Sequence, residues 1–307
     1  RASRWPGEQM EVSVRVAFLG MGRMGSAMAQ HVLTGGHELV VWNRTRGKAA
    51  DLLAAGATEA DSPAAAARDA DAVVLMLRGP DDAREVLLGE SGVTAGPGAA
   101  DGALVINATT VDPDTARSLA AEVAAHGLRY VDAPVAGSVQ PATDGTLRVL
   151  VGAAEADYAD AEPLLGLWGA PDGVRRVGDV GAASALKLVI NLTLGVAISG
   201  VGEALRLAAD VGVDRTEAMD ALATGPFGWT LAQKRPMLEA QDYTPVAFSL
   251  DLLAKDLGLC VGATTAELPA TAAALAVAHA AIAAGHADDD YASLAGFLAF
   301  EGNPNSH

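Results

Sequence analysis

At 307 residues, the chain is long enough for one large or two ordinary domains with a substantial core. Its 38 acidic residues against 21 basic ones leave a net charge of −17, which argues against a nucleic-acid or anionic-membrane surface. The single cysteine, Cys260, excludes an intramolecular disulfide and a cysteine-based metal cluster, and its setting, Leu-Gly-Leu-Cys-Val-Gly, reads as buried helix with no redox role.

In chain order, residues 1–9 lack the apolar core of a secretory leader, and Met10 reads as the natural start. An apolar run, Val16-Ala-Phe-Leu, then ends in glycines at 20, 22 and 25, followed by an amphipathic stretch to about Leu33. That pattern is strand, tight turn and helix. Gly20 allows the turn, Gly22 lets backbone approach a pyrophosphate, and Gly25 lets helix pack on strand. The phosphates would rest on the helix N-terminus, with Met21, Arg23 and Met24 in the same loop. A second strand, His37 to Trp42, follows at the spacing of a βαβ unit.

An NAD site would place an acidic residue at the end of that second strand. Here stand Asn43, Arg44 and Thr45, with Arg46 and Lys48 behind them. A carboxylate would repel a 2′-phosphate, whereas Arg44 can pair with it and Thr45 can donate to it. A solvated basic turn is the plainer alternative. The expected cofactor is NADP(H).

The alternation of strands and helices continues to about residue 177. Strands are expected at 72–77, ending in Leu77, at 103–107, 129–132 and 146–151. Between them lie helices over 80–88, from Asp112 to about 126 and from about Ala156, a Gly/Ala loop at 92–102 and a loop from 132 to 145. Such repetition implies a doubly wound parallel sheet with its ligand at the strand carboxyl ends. After Gly178 the sequence reads as helix throughout, over 182–210, 214–224, 228–240, 249–266, 269–285 and 289–300. The expected fold is therefore α/β: a Rossmann domain over 14–177, then an all-α domain over 178–302 joined by a long helix. Within that helix the uncharged run from Leu188 to Gly202 is short for a bilayer span and reads as buried. One apolar face would cover the first domain, and the remainder calls for other helices or a second subunit, so a homodimer or tetramer is expected in the cytoplasm.

Carbonyl reduction needs an acid for the developing alkoxide and groups that hold the substrate. Lys187 is the best candidate acid: Ser184, Lys187 and Asn191 share one helical face, and burial would bring a lysine toward the working range. A surface lysine snorkelling at a helix start would satisfy the same spacing. The loop Asp132 to Thr146 offers exposed backbone amides with Ser138, Gln140 and Thr143, or is only a polar connection. Lys255-Asp256 could enter a cleft or be solvated. Nothing in the pattern suggests a metal site. Phe227, Trp229 and Phe248 are candidates to shape the pocket, or core residues.

Together these segments resemble the β-hydroxyacid dehydrogenase family. The likeness rests on Gly-x-Gly-x-Met-Gly at 20–25, Asn-Ala-Thr-Thr-Val-Asp-Pro at 107–113, Asp-Ala-Pro-Val at 132–135, Asp-Gly-Thr-Leu at 144–147 with Val151-Gly152, Gly181 leading to Lys187 and Asn191, and Lys255-Asp256. The Trp42 to Thr45 turn and the Ser138 to Thr146 wording look most like the glyoxylate/succinic semialdehyde reductase branch, which uses NADPH. The resemblance implies a catalytic Lys187 helped by Asn191, Thr109 or Thr110 beside the nicotinamide, and Lys255 reaching the cofactor from the helical domain. It also implies reversible reduction of small aldehyde or keto acids, with the substrate held by Val135, Ala136, Gly137 and Ser138. The family usually carries Ser where this chain has Ala136. The anion is then left to backbone amides and Ser138, or the substrate lacks that carboxylate. Imine reduction on the same fold and cofactor binding without catalysis are the alternatives. Imine reductases usually replace the lysine, so Lys187 favours carbonyl chemistry.

Overall fold

The computed structural model describes residues 13–95 and 98–301; Met10 and the expected domain end at 302 lie outside them. The chain forms two compact units that divide between Lys187 and Leu188.

The first unit carries strands β1 (Arg15–Leu19), β2 (Glu38–Trp42), β3 (Thr58–Glu59), β4 (Ala72–Leu75), β5 (Leu104–Asn107), β6 (Arg129–Asp132), β7 (Val135–Ala136), β8 (Leu147–Gly152) and β9 (Gly169–Gly178). Its helices are α1 (Arg23–Thr34), α2 (Ala50–Ala54), α3 (Pro63–Ala67), α4 (Pro80–Leu88), α5 (Pro113–Ala124), α6 (Val139–Thr143) and α7 (Glu155–Leu165). The first six strands are parallel in the order β3-β2-β1-β4-β5-β6, so their carboxyl ends share one edge. β8 then runs antiparallel to β6 and β7.

The short apolar strands are buried on both faces, as their sequence demands. Alternate residues of β1 go to opposite sides: Val16 and Phe18 join a core with Met28, Ile106 and Trp168, while Ala17 and Leu19 join one with Leu75, Val105 and Leu119. Asp112 caps α5 by accepting the amides of Asp114 and Thr115, with Pro113 opening the helix.

Two segments depart from the sequence reading. The stretch expected as a loop after Asp132 contains β7 and the single turn α6. β9 was not anticipated, because Gly-Ala-Pro-Asp-Gly opens it. That segment is mostly half-buried and, among the described residues, pairs only with β8, the edge position where proline is tolerated.

Helix α8 (Ala182–Asp210) starts in the first unit and runs on into the second. The second unit adds α9 (Arg215–Ala223), α10 (Gly228–Ala240), α11 (Leu250–Gly262), α12 (Pro269–Ala281) and α13 (Ser293–Gly296). Wide π-type turns at Ile282–His286 and Phe297–Glu301 interrupt the two helices expected near the end; Gly285 at φ +111° breaks the first. Among the described residues this unit has no strand, only a bridge between Ser249 and Asp290. The long helix is less buried than expected. Ile198, Val201 and Leu205 enter the unit's core, but Val189 and Leu207 are exposed at 59 and 63 %. With 29 residues and a mean hydropathy of 1.7 in its most apolar window, α8 is long and apolar enough to cross a membrane, longer than the uncharged run suggested. Its buried stripe is that of a core helix.

Candidate functional site

The glycine turn after β1 is set by backbone contacts. Gly20 lies at φ +108°, and a Cβ there would sit 2.2 Å from the Met76 carbonyl oxygen. A Cβ at Gly25 would sit 1.9 Å from the Gly20 carbonyl oxygen. These two glycines bring α1 against the sheet. Gly22 differs, because a Cβ there would meet nothing within 4 Å. It is the N-cap of α1, whose start has no capping side chain and no acidic residue in its first turn. The dipole and amides at that terminus therefore suit an anion, and the turn fits a pyrophosphate.

Asn43 fastens the end of β2 to this turn. Its Oδ1 accepts the Met21 amide at 2.9 Å, and its Nδ2 donates to the Thr45 carbonyl at 2.7 Å. Arg44 is exposed and donates to Asp82, in the first turn of α4, at 3.0 Å. Arg46 pairs with Asp61. The basic turn is thus partly neutralised by its own unit. Asp82 gave no sign of this in the sequence, since acids are ordinary at helix starts.

Leu77 and Thr109, beyond the ends of neighbouring strands β4 and β5, are joined directly. The Leu77 amide donates to Thr109 Oγ1 at 3.0 Å, and the Thr109 amide donates to Asn107 Oδ1 at 3.1 Å. Asn107 in turn donates to the Tyr130 hydroxyl at 2.8 Å, a phenol that burial and the nearby Asp132 keep protonated. Thr109 is wholly buried and Thr110 half-buried. Val135 is buried and Ala136 half-buried in β7, opposite Val149 and Arg148. Gly137 turns the chain at φ +141°, where a Cβ would sit 2.7 Å from Leu147, and Ser138 leads into α6.

On α8, Lys187 is half-buried, so the expected burial is partial within this chain. Ser184, one turn before it, is fully buried and donates its hydroxyl to Asp132 Oδ1 at 2.7 Å. Asn191, one turn after it, is 1 % exposed and donates to Asp256 Oδ2 at 2.5 Å. The other amide atom, Asn191 Oδ1, is buried without a hydrogen-bond partner among the described residues. Lys255 Nζ lies 2.7 Å from Asp256 Oδ1, close enough for an ion pair but not aligned as a hydrogen bond. For the carboxylates that hold Ser184 and Asn191, sequence reasoning named the segments but not the partners. Asp132 read as a strand end and Asp256 as the neighbour of Lys255.

In the second unit Phe227 and Phe248 pack on the helical core, whereas Trp229 is 63 % exposed. Cys260 donates its thiol to the Leu188 carbonyl at 3.3 Å, and burial with the Asp256 charge pushes that thiol up to about 11. No group of three potential metal ligands gathers among the described residues.

Comparison with known proteins agrees with both halves of this arrangement. Residues 15–181 match the NAD-binding domain of 6-phosphogluconate dehydrogenase, and residues 181–298 match the NAD-binding domain of NADP-dependent 3-hydroxyisobutyrate dehydrogenase. The chain is 33 % identical to 3-hydroxyisobutyrate dehydrogenase of Pseudomonas aeruginosa, covering 91 % of this chain and 95 % of that one. It is 30 % identical to the chloroplastic glyoxylate/succinic semialdehyde reductase 2 of Arabidopsis thaliana, covering 92 % and 78 %. Among solved structures, Mycobacterium tuberculosis 3-hydroxyisobutyrate dehydrogenase with L-serine superimposes with a TM-score of 0.81 at 29 % identity, covering 94 % and 99 %. With its glycine turn, its parallel sheet and a helical second half matched over nearly their whole length, the chain belongs to the β-hydroxyacid dehydrogenase family, as a nicotinamide-dependent oxidoreductase of small molecules.

Proposed function

We propose that the chain is an NADPH-dependent reductase of small aldehyde or keto acids, running reversibly as a β-hydroxyacid dehydrogenase. The backbone from Gly20 through Met21, Gly22, Arg23 and Met24 holds the pyrophosphate. Asn43 fixes the turn from which Arg44 and Thr45 take the 2′-phosphate. Leu77 and Thr109 flank the nicotinamide half, and Lys255 is a further cofactor-binding residue. The cofactor supplies hydride to the carbonyl carbon when bound.

Lys187 donates its ammonium proton to the carbonyl oxygen as negative charge develops there, completing the alcohol. Asn191 orients the reacting groups through its unmatched amide oxygen. Val135, Ala136, Gly137 and Ser138 hold the far end of the substrate, with Ser138 and backbone amides taking the carboxylate that Ala136 cannot. One observation carries the assignment of Lys187. The start of α8 is hydrogen-bonded to Asp132 at the carboxyl end of β6, on the sheet edge from which the glycine turn leaves β1. That edge is where ligands of doubly wound sheets bind.

We also assign the chain to the cytoplasm as a homodimer or tetramer; the exposed Val189 and Leu207 on α8, with Val211 just after it, support association, which light scattering would measure. The deciding experiment is NADPH oxidation against glyoxylate, succinic semialdehyde, tartronate semialdehyde, methylmalonate semialdehyde and a cyclic imine, with NADH in parallel. Turnover of one semialdehyde with NADPH is expected. Reaction of the imine alone would replace the reading with imine reduction, and bound NADPH without turnover would replace it with a non-catalytic role.

A further inference from the structure

The carboxylate of Asp132 is fully buried at the end of β6 and is shared among three donors at the start of α8. Oδ2 accepts the amides of Gly181 at 3.0 Å and Ser184 at 2.9 Å, while Oδ1 accepts the Ser184 hydroxyl at 2.7 Å. A helix start leaves its first amides without intrahelical partners. Here an acid 49 residues upstream of Gly181 supplies the acceptors.

The surroundings make that contact rigid. A Cβ at Gly152 would lie 2.8 Å from the Asp179 carbonyl oxygen and 3.1 Å from Asp132 Oδ2. Gly181 stands at φ +93°, where a Cβ would lie 3.0 Å from the Pro113 carbonyl oxygen. Two glycines thus allow sheet, loop and helix to close around one carboxylate. Its burial outweighs the three donors and Arg117 and leaves the carboxyl's pKa raised, so the cap works against its own desolvation. Such an expensive arrangement is out of proportion to holding a helix that an ordinary cap would start equally well.

We propose that Asp132 is a positioning residue for proton transfer: by fastening the first turn of α8 to the carboxyl end of β6, it fixes the turn that carries Lys187. Ser184 is its second half, since its amide and hydroxyl both bind the carboxylate and its side chain lies one turn before Lys187. The inference rests on the assignment of Lys187 as the acid.

The test compares Asp132→Asn, Ser184→Ala and Lys187→Met in the full chain, reading NADPH affinity by fluorescence, KM and kcat. Asparagine at 132 keeps the shape but removes the charge and turns a donor toward the Ser184 hydroxyl, so that the hydroxyl can no longer donate there. It is expected to lower kcat by roughly tenfold to a hundredfold, the scale of a small misplacement, with NADPH affinity and KM within about twofold of the parent. Ser184→Ala removes one donor and keeps the carboxylate, so it serves where Asp132→Asn does not fold; kcat falls about threefold with KM unchanged. Parental kcat in Ser184→Ala, or in a folded Asp132→Asn, overturns the positioning role. Parental turnover in Lys187→Met overturns the acid assignment instead, so the two failures are told apart.

Discussion

Two buried acids in the second unit handle their hydrogen bonds in opposite ways. Asp290 accepts Lys234 Nζ at 2.7 Å and the Ala292 amide at 3.0 Å on one oxygen, and the amides of Ala247 and Phe248 on the other. Lys234 also lies 4.3 Å from the centre of the Tyr291 ring. Asp256 binds Asn191, yet Asn191 Oδ1 stays buried with no partner among the described residues. Most buried polar atoms in folded proteins are paired, and the exceptions need a reason. A fully matched cluster fixes backbone and contributes to stability. One with a spare acceptor is held in a geometry that a donor from outside can complete. The first is framework, and the second matches the site role proposed for Asn191.

The largest effect expected from this contrast is at the matched pair. Lys234→Ala leaves a buried carboxylate without its cation and is expected to cost about 3–5 kcal/mol of stability. Urea unfolding would measure that cost, while kcat per folded molecule stays at the parental value. A loss of kcat without loss of stability would put Asp290 in the site and erase the distinction.

Asn191→Ala is the complementary case. Asp256 loses one donor, for about 1–3 kcal/mol of stability, a smaller cost than at Lys234. If Asn191 orients the reaction as proposed, turnover falls by roughly tenfold or more. Steady-state kinetics on the refolded variant would check it. Full activity would mean that the spare oxygen has no catalytic use.

Arg44 extends the contrast to the first unit, where its pair with Asp82 is solvent-exposed at 74 % on the arginine side. Such a pair contributes little to stability, so Arg44→Ala is expected to leave the melting temperature unchanged. The preference for NADPH over NADH should drop by about tenfold to a hundredfold, the scale of a charge-assisted hydrogen bond. An unaltered preference would remove the phosphate role.

The fold was legible in the sequence where periodicity and glycine spacing carry it. The βαβ start, the buried strands β4 and β5, and the bounds of α8 all follow from local pattern. What local pattern could not show was which distant acid meets which donor. Asp132 reaches Ser184 across 52 residues, Asp256 reaches Asn191 across 65, and Asp82 reaches Arg44 across 38. Each looks unremarkable in its own segment, as a strand end, half of a Lys-Asp pair or a helix-start acid. β9 was hidden for a related reason, since its glycines and proline carry no strand signal and only β8 recruits it. The spacing of Ser184, Lys187 and Asn191 was readable, but the carboxylates that anchor the outer two were not.

The smallest effect separates a third kind of polar contact, one that depends on pH. His286 bridges Asp289 at 2.8 Å and Glu301 at 3.1 Å, tying the wide turn after α12 to the last described turn. Burial by itself would lower the imidazole pKa, but the hydrogen bonds and charges of Asp289 and Glu301 outweigh it and raise the value above the ordinary 6.5. A raised folded value means that the protonated form is the one the fold favours. The stabilisation is therefore complete below the pKa of the unfolded imidazole and is lost as pH rises through the higher folded value. With both acids partly exposed, the bridge contributes less than about 1 kcal/mol. Melting temperatures recorded from pH 5.5 to 8.5, a range of about three units around the ordinary histidine value, should show this contribution decline in the parent. His286→Gln keeps hydrogen-bonding capacity without a titrating charge, so that part of the slope should vanish. An unchanged slope would mean that the bridge is only a packing contact, like the matched cluster at Asp290, and not a pH-dependent tie.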